Sequence, residues 1–301
     1  GRHEYDIVHV FQTHLSAYLA VVVAKRLGKK VLTTSHCAGE TGDMAVWLSI
    51  PGGKRLLRHV SSNVDAATGV SNDVTAELHE AGFDRKRTWY LPNGVPVPPL
   101  VAGDRSALRA GLGLPSDAVI AVFVGRLTAQ KAPELLLDAW TAVLRKYPAG
   151  KLIFVGDGEK RAMLEAGTRQ AGLADSIAFT GQVDNVGDYL AAADIFVLPS
   201  TTEGMSIALL EAMAVELPVV ASMVSGTVDV IKHGENGLLF EPGHTAELTD
   251  CLVSLIESSK RRAELGSQAR KTVEKHFSID TTVDRYVALY KSLLPEDRCS
   301  E

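Results

Sequence analysis

Three cysteines in 301 residues, Cys37, Cys251 and Cys299, are too few and too scattered for a disulfide framework or a zinc site. An odd, widely spaced set fits a reducing compartment, the cytosol. Long apolar runs are missing as well. The longest, AYLAVVVA (17–24), falls far short of the roughly 20 residues that a bilayer span needs. The start shows no secretory leader pattern. Signature motifs are equally scarce: there is no G-x-G-x-x-G fingerprint, no P-loop, no G-x-S-x-G elbow and no H-E-x-x-H. No Asp-x-Asp pair offers to hold a metal–diphosphate, and no repeat or low-complexity tract interrupts the chain. A net charge of −5 argues against a general nucleic-acid binder.

What is present is the grammar of an α/β protein. Hydrophobic residues make up 46% and charged residues 22%, and the length suits about two domains. Along residues 104–258, VIAVFVG (119–125), KLIFVG (151–156), SIAFTG (176–181), DIFVLPS (194–200), PVVAS (218–222) and GLLFEP (237–242) read as strands. Helical periods such as 133–147 and 159–173 fill the gaps. Short apolar strands separated by helices predict a parallel sheet covered on both faces. Residues 1–100 repeat the pattern with DIVHVF (6–11), KKVLTTS (29–35), AATGVS (66–71) and TWYLPN (88–93), and two helical stretches between them. The aperiodic PNGVPVPPLVAGD (92–104) reads as a linker, dividing residues 1–96 from 104–278. Basic clusters at 25–30, 52–59 and 84–87 read as solvated helix ends, or as a weak anionic-membrane or acceptor surface.

Open parallel sheets collect ligands outside the carboxyl ends of their strands. In FVGRLTAQK, Gly125 and Arg126 end a strand and Lys131 precedes a helix. Two cations there suit a diphosphate, although alone the pair fits a surface arginine and lysine equally well. In TEGMSIALLE, Ser206 can cap a helix whose outward N–H groups at Gly204, Met205 and Ser206 face the same mouth. Ile207, Leu210 and Ala214 lie at helical spacing, and Glu211 falls beside them on the face expected to meet the core. A buried carboxylate is costly unless paired, so Glu211 is either exposed or holds a polar ligand. Glu203 and Glu211 are good acceptors for sugar and ribose hydroxyls. The set describes a nucleotide-sugar. His9, His14 and His36 stand at or just after strand ends, each compatible with an ordinary polar role, and Cys37 beside His36 is a weak nucleophile candidate.

FVGRLTAQKAPELLLDA, LIFVGDGE, FTGQV, ADIFVLPSTTEGMSIALLEAMA, PVVAS and ENGLLFEPG, in this order and spacing, resemble the retaining GT-B glycosyltransferases, the large family that includes sucrose synthase and bacterial mannosyltransferases. SNDVTAELHEAGF followed by LPNGV resembles the family's stretch before its linker. The resemblance implies two Rossmann-like parallel-sheet domains and metal-independent, retaining transfer from a nucleoside-diphosphate sugar, with no cofactor. It implies that Arg126 and Lys131 bind the diphosphate and that Glu203 and the amides of Gly204, Met205 and Ser206 meet the sugar. Glu211 would bind the ribose, and Gln182 and Val183 would lie near the base. The acceptor would be a glycan, a lipid-linked or a small molecule in cell-surface polysaccharide or glycoconjugate synthesis, in the cytoplasm or at the inner membrane surface. It also implies a last helix (280–294) returning to the first domain, with Val283, Val287 and Tyr290 as its buried face.

Departures from the family pattern are local. Glu216 stands where the family usually has glycine, and Ser225 where a second glycine is frequent. By register the family's histidine after its DIVHVF-like strand falls at Phe11, with His14 three residues on as a candidate substitute. The family's first domain normally begins with further strand–helix units and a glycine-rich loop, and the chain starts at Gly1, so the first domain is expected to be incomplete. Two other readings remain open at this point: a sugar-nucleotide-binding module without transfer, and a glycosidase using Glu203 and Glu211 as paired carboxylates.

Overall fold

The computed structural model describes residues 5–39, 42–99 and 105–295. The chain divides into two compact units, the first comprising Gly1–Gly94, Glu203–Met205 and Ile279–Glu301, the second Val95–Thr202 and Ser206–Ser278. Leu100, Asp104, Gly1 and Cys299 lie outside the described residues, so the far end of the expected linker is not described.

In the first unit β1 (Ile7–Phe11), α1 (Leu15–Arg26), β2 (Lys30–Ser35), α2 (Asp43–Ser49), α3 (Gly53–Asn63), β3 (Ala66–Gly69), α4 (Asn72–Glu80) and β4 (Thr88–Tyr90) follow in order. The four strands form one parallel sheet in the order β1-β2-β3-β4. Strand alternation sends Val31 and Ala67 to a core with Ala17, Val21, Leu57 and Val60. It sends Leu32 and Ala66 to the opposite face, where Leu289, Tyr286 and Tyr290 of α13 (Ile279–Leu293) cover them. β1 is an edge strand, and beside it α1 exposes Leu15, Leu19 and Val23 one turn apart.

The face that α13 buries differs from the sequence expectation. Val283 and Val287 are 49% and 41% exposed, whereas Thr282 and Leu289 are buried and Tyr286, Tyr290 and Leu293 pack on the core. Two stripes compete on this helix. The one with tyrosines wins because their hydroxyls find partners on the sheet: Tyr290 bonds His9 Nδ1 at 2.7 Å, and Tyr286 bonds Thr34 Oγ1 at 3.3 Å.

The second unit runs through α5 (Arg105–Gly111), β5 (Ile120–Val124), α6 (Pro133–Lys146), β6 (Lys151–Val155), α7 (Arg161–Gln170) and β7 (Ile177–Gly181). It continues with α8 (Val186–Ala192), β8 (Ile195–Leu198), α9 (Ile207–Ala214), β9 (Val219–Ser222), α10 (Ser225–Val228), β10 (Leu238–Phe240), α11 (Thr245–Ile256) and α12 (Ser259–His276). Its six strands are parallel in the order β10-β9-β8-β5-β6-β7, and Phe123, Phe154, Trp140 and Val197 centre its core. Asp194 anchors α5 to this sheet: it accepts from Arg109 and from the Ile120 N–H, both at 2.7 Å.

Candidate functional site

In the second unit the sheet order reverses between β5 and β8. From β5 the strands proceed to β6 and β7 on one side, while β8, β9 and β10 run out on the other. Such a reversal opens a crevice at the carboxyl ends of the two flanking strands. Gly125 and Arg126 follow β5, and the TEGMS stretch follows β8. The ends of β5 and β6 touch backbone to backbone: a Cβ on Gly156, whose φ is +130°, would sit 2.1 Å from the Gly125 carbonyl oxygen. Gln130 joins the two mouth loops. Its carbonyl accepts the Thr201 N–H at 2.8 Å, and its Nε2 donates to the Thr202 carbonyl at 3.2 Å.

Arg126 is exposed, and among the described residues its guanidinium makes no hydrogen bond or ion pair. Lys131 is partly buried, its Cε 3.9 Å from where a Cβ on Gly125 would lie. Between them the Thr128 hydroxyl is buried without a partner among the described residues. Ser206 caps α9 as expected, its Oγ accepting the Leu209 N–H at 3.3 Å. Ile207 is 43% exposed and so leaves the core stripe assigned to it, while Leu210 and Ala214 stay in the core. Glu211, one turn beyond Ile207, shares that more open face. It is half-buried, burial raises its carboxyl above the ordinary value, and it has no partner among the described residues. Gln182 and Val183 follow β7 on the same edge of the sheet, two strands from β5.

Glu203–Met205 group with the first unit. Glu203 is buried, and a Cβ on Gly204 would lie 1.6 Å from the His36 carbonyl oxygen, so only glycine fits there. Asn93 Nδ2 donates to the Met205 carbonyl at 3.2 Å. The three histidines of this unit part company. His9 is held between Tyr290 and Thr34, each at 2.7 Å, and its pKa is lowered to about 4, first by burial and then by His36. His14 caps α1 and pairs with Asp43, Nε2 to Oδ1 at 2.9 Å. Burial lowers the His36 pKa, against a smaller raising effect of Asp43. Phe11 is 60% exposed and stacks on His9 at 4.1 Å. Gln130 and Asp43 were not singled out from the sequence. Gln130 lies inside FVGRLTAQK but carries no charge to mark it, Asp43 belongs to no quoted motif, and only the fold brings their partners to them.

These two units are matched by comparison with known proteins. Residues 104–272 match the model of "Glycosyl transferases group 1", and residues 1–97 match that of "Glycosyltransferase Family 4". The chain belongs to the group 1 glycosyltransferases, enzymes that transfer sugars from nucleotide sugars. It is 27% identical over 299 residues to the N-acetyl-alpha-D-glucosaminyl L-malate synthase of Bacillus anthracis, covering 99% of this chain and 77% of that protein. It is 30% identical over 308 residues to the D-inositol 3-phosphate glycosyltransferase of Geodermatophilus obscurus, covering 97% and 67%. A solved structure of Anabaena Alr3699/HepE in complex with UDP superposes with a TM-score of 0.84 at 22% identity, over 96% of this chain and 79% of that one. That likeness shows the fold, GT-B. Family membership leaves the glycosidase reading without support. Among the described residues no helix is long and apolar enough to cross a membrane.

Proposed function

We propose that this chain moves a sugar from a nucleoside-diphosphate sugar to a hydroxyl acceptor with retention of anomeric configuration, without a metal ion or resident cofactor. The observation that carries the reading is Glu211: a half-buried carboxylate with no partner among the described residues, on a helix that starts at the sheet's switch point. Burial without a partner is unfavourable for a carboxylate unless a ligand supplies hydrogen-bond donors, and ribose hydroxyls do so. In this reading Arg126 and Lys131 neutralise the departing diphosphate, and Gly125 lets the backbone approach it. Glu203 and the amides of Gly204, Met205 and Ser206 hold the transferred sugar. Gln182 and Val183 flank the base, and His14 is the candidate for the family's histidine near the donor sugar.

The names of the relatives support a small hydroxylated or anionic acceptor, such as L-malate or D-inositol 3-phosphate, or a glycan or lipid-linked equivalent in cell-surface glycoconjugate synthesis. Such a reaction suits the cytoplasm or the inner membrane surface. The test is a thermal-shift panel of UDP-, GDP- and ADP-sugars, followed by product stereochemistry with those acceptors. A ligand at 100 times its Kd stabilises by about 2.7 kcal/mol. No shift with any nucleotide sugar, or an inverted product, would overturn the reading.

A further inference from the structure

We propose that a cavity at the amino ends of β8 and β9 binds a phosphate monoester of a small polyhydroxy molecule, with Arg105 and Arg262 on the phosphate and Glu216 on a hydroxyl. The site lies within the second unit, at the opposite end of its strands from the mouth that carries Arg126 and Lys131. It does not rest on the transfer reading. The cavity measures about 370 Å³, within the roughly 300–1,000 Å³ of small-ligand pockets. Four element ends frame it: Arg105 at the start of α5, Asp194 after α8, residues 216–218 after α9, and Ser259 and Arg262 in the first turn of α12.

Pairing within the chain uses only part of the positive charge here. Asp194 is shared: Oδ2 accepts from Arg109 and from the Ile120 N–H, both at 2.7 Å, and Oδ1 accepts from Arg105 Nη2 at 2.9 Å. Arg109 is buried and spends its other nitrogens on the carbonyls of Ala192, Ser116 and Ala118, at 2.9, 3.0 and 3.1 Å. Arg105 engages Nη2 alone, which also donates to the Ala192 and Ala193 carbonyls. Arg262 engages Nη1 alone, on the carbonyls of Leu255 and Ile256 that end α11, at 2.6 and 3.1 Å. Among the described residues, the Nε–H and the second Nη of both arginines donate to nothing, and no carboxylate pairs with Arg262. Burial lowers the Arg105 pKa; Asp194 opposes this, and the charges of Arg109 and Arg262 add to it.

Two half-used guanidinium forks on one cavity suit a phosphate, because each fork can give two parallel hydrogen bonds to a pair of its oxygens. Ser259 opens α12 on the same wall, and the positive end of that 18-residue helix favours the same charge. A bare anion is not the whole ligand. Glu216 also lines the cavity, and its carboxylate has no hydrogen bond or ion pair among the described residues. A carboxylate accepts hydroxyls and repels phosphate. A molecule with a phosphate at one end and hydroxyls at the other satisfies both walls. Binding alone is assigned, with no bond made or broken.

The experiment titrates the ¹⁵N-labelled chain with ribose 5-phosphate, inorganic phosphate and ribose, in an Arg126→Ala background that weakens the other candidate phosphate site. NMR follows the backbone amides and the arginine Nε–H signals, and Tm checks folding. Ribose 5-phosphate should shift the Arg105 and Arg262 Nε–H signals and the Ser259 amide saturably, inorganic phosphate more weakly, and ribose not at all. Arg105→Gln and Arg262→Gln should each weaken ribose 5-phosphate by about tenfold or more. Glu216→Gln should narrow the preference for ribose 5-phosphate over inorganic phosphate. No saturable shift at these groups, equal binding of the two phosphates, or unchanged affinity in both arginine variants would overturn the site. If an arginine variant melts early, the shifts mapped on the parent chain decide. Nucleotide-sugar binding by the wild-type chain is measured alongside, and its absence would overturn the transfer reading while leaving this site standing.

Discussion

The Gln130 carbonyl accepts the Thr201 N–H at 2.8 Å, tying the loop after β5 to the loop after β8. The first of these loops carries Arg126 and Lys131, and the second leads to the capped start of α9. The second unit therefore presents its strand mouth as one piece, and substitutions there separate ligand binding from stability.

Glu211 gives the sharpest separation. Burial raises its carboxyl above the ordinary 4.5, so the folded chain holds the proton more tightly than the unfolded chain. The stability linked to this group is present below the unfolded value and is lost as pH rises through the folded one. Glu211→Gln should match the wild type in urea midpoint at acid pH and exceed it at neutral pH, while binding nucleotide sugar more weakly. A variant that loses stability at neutral pH would mean that the carboxylate is a structural partner.

His9 carries the opposite sign. Its pKa falls from 6.5 to about 4, chiefly through burial. The stability it contributes is complete above the unfolded value and is lost as pH falls through the window from 6.5 to about 4. An NMR titration should show one histidine with its midpoint near 4, a signal absent from His9→Gln. A titration of His9 near 6.5 would contradict the closed His9–Tyr290–Thr34 arrangement.

The two stripes of α13 predict unequal costs. Leu289→Ala removes a buried side chain and should cost about 2–5 kcal/mol, whereas Val283→Ala should stay within about 0.5 kcal/mol. Equal midpoints in chemical denaturation would show that the wrong face was assigned.

Glu216 ends α9 in the left-handed conformation, φ +60°. The Leu217 N–H returns to the Ala212 carbonyl at 3.1 Å and the Glu216 N–H to Met213 at 3.2 Å, a helix-terminating pair that normally uses glycine. Relief of about 1–2 kcal/mol of left-handed strain outweighs the entropy that glycine adds. Glu216→Gly should raise Tm by about 2 °C, and a lower Tm would show that the glutamate side chain makes up for its backbone.

Much of this fold was legible because parallel strands buried on both faces are short apolar runs: each of the ten runs marked in the sequence contains a strand. Helices α2 and α3 were not. DMAVWLS is brief, and GKRLLRHVSSN was noticed for its charge rather than for Leu57 and Val60 at three-residue spacing. At the site, Arg126, Lys131 and the TEGMS stretch stood out because glycines and charges break apolar runs there. Asp43 and Gln130 did not, since a carboxylate acquires meaning only when the turn after β1 brings His14 to it. Ile207 misled because a helix at a strand mouth keeps one face open toward the crevice.

The most direct test is titration calorimetry of the wild-type chain and Arg126→Ala with a set of nucleoside-diphosphate sugars. The Arg126 guanidinium has no partner among the described residues, so its removal should leave Tm unchanged. One or two charge-assisted hydrogen bonds to the diphosphate are lost, about 1.5–3 kcal/mol for one, so affinity should fall about 10- to 150-fold or more. Equal affinity in the two proteins, or no binding by the wild type, would contradict a nucleotide-sugar site at this strand mouth.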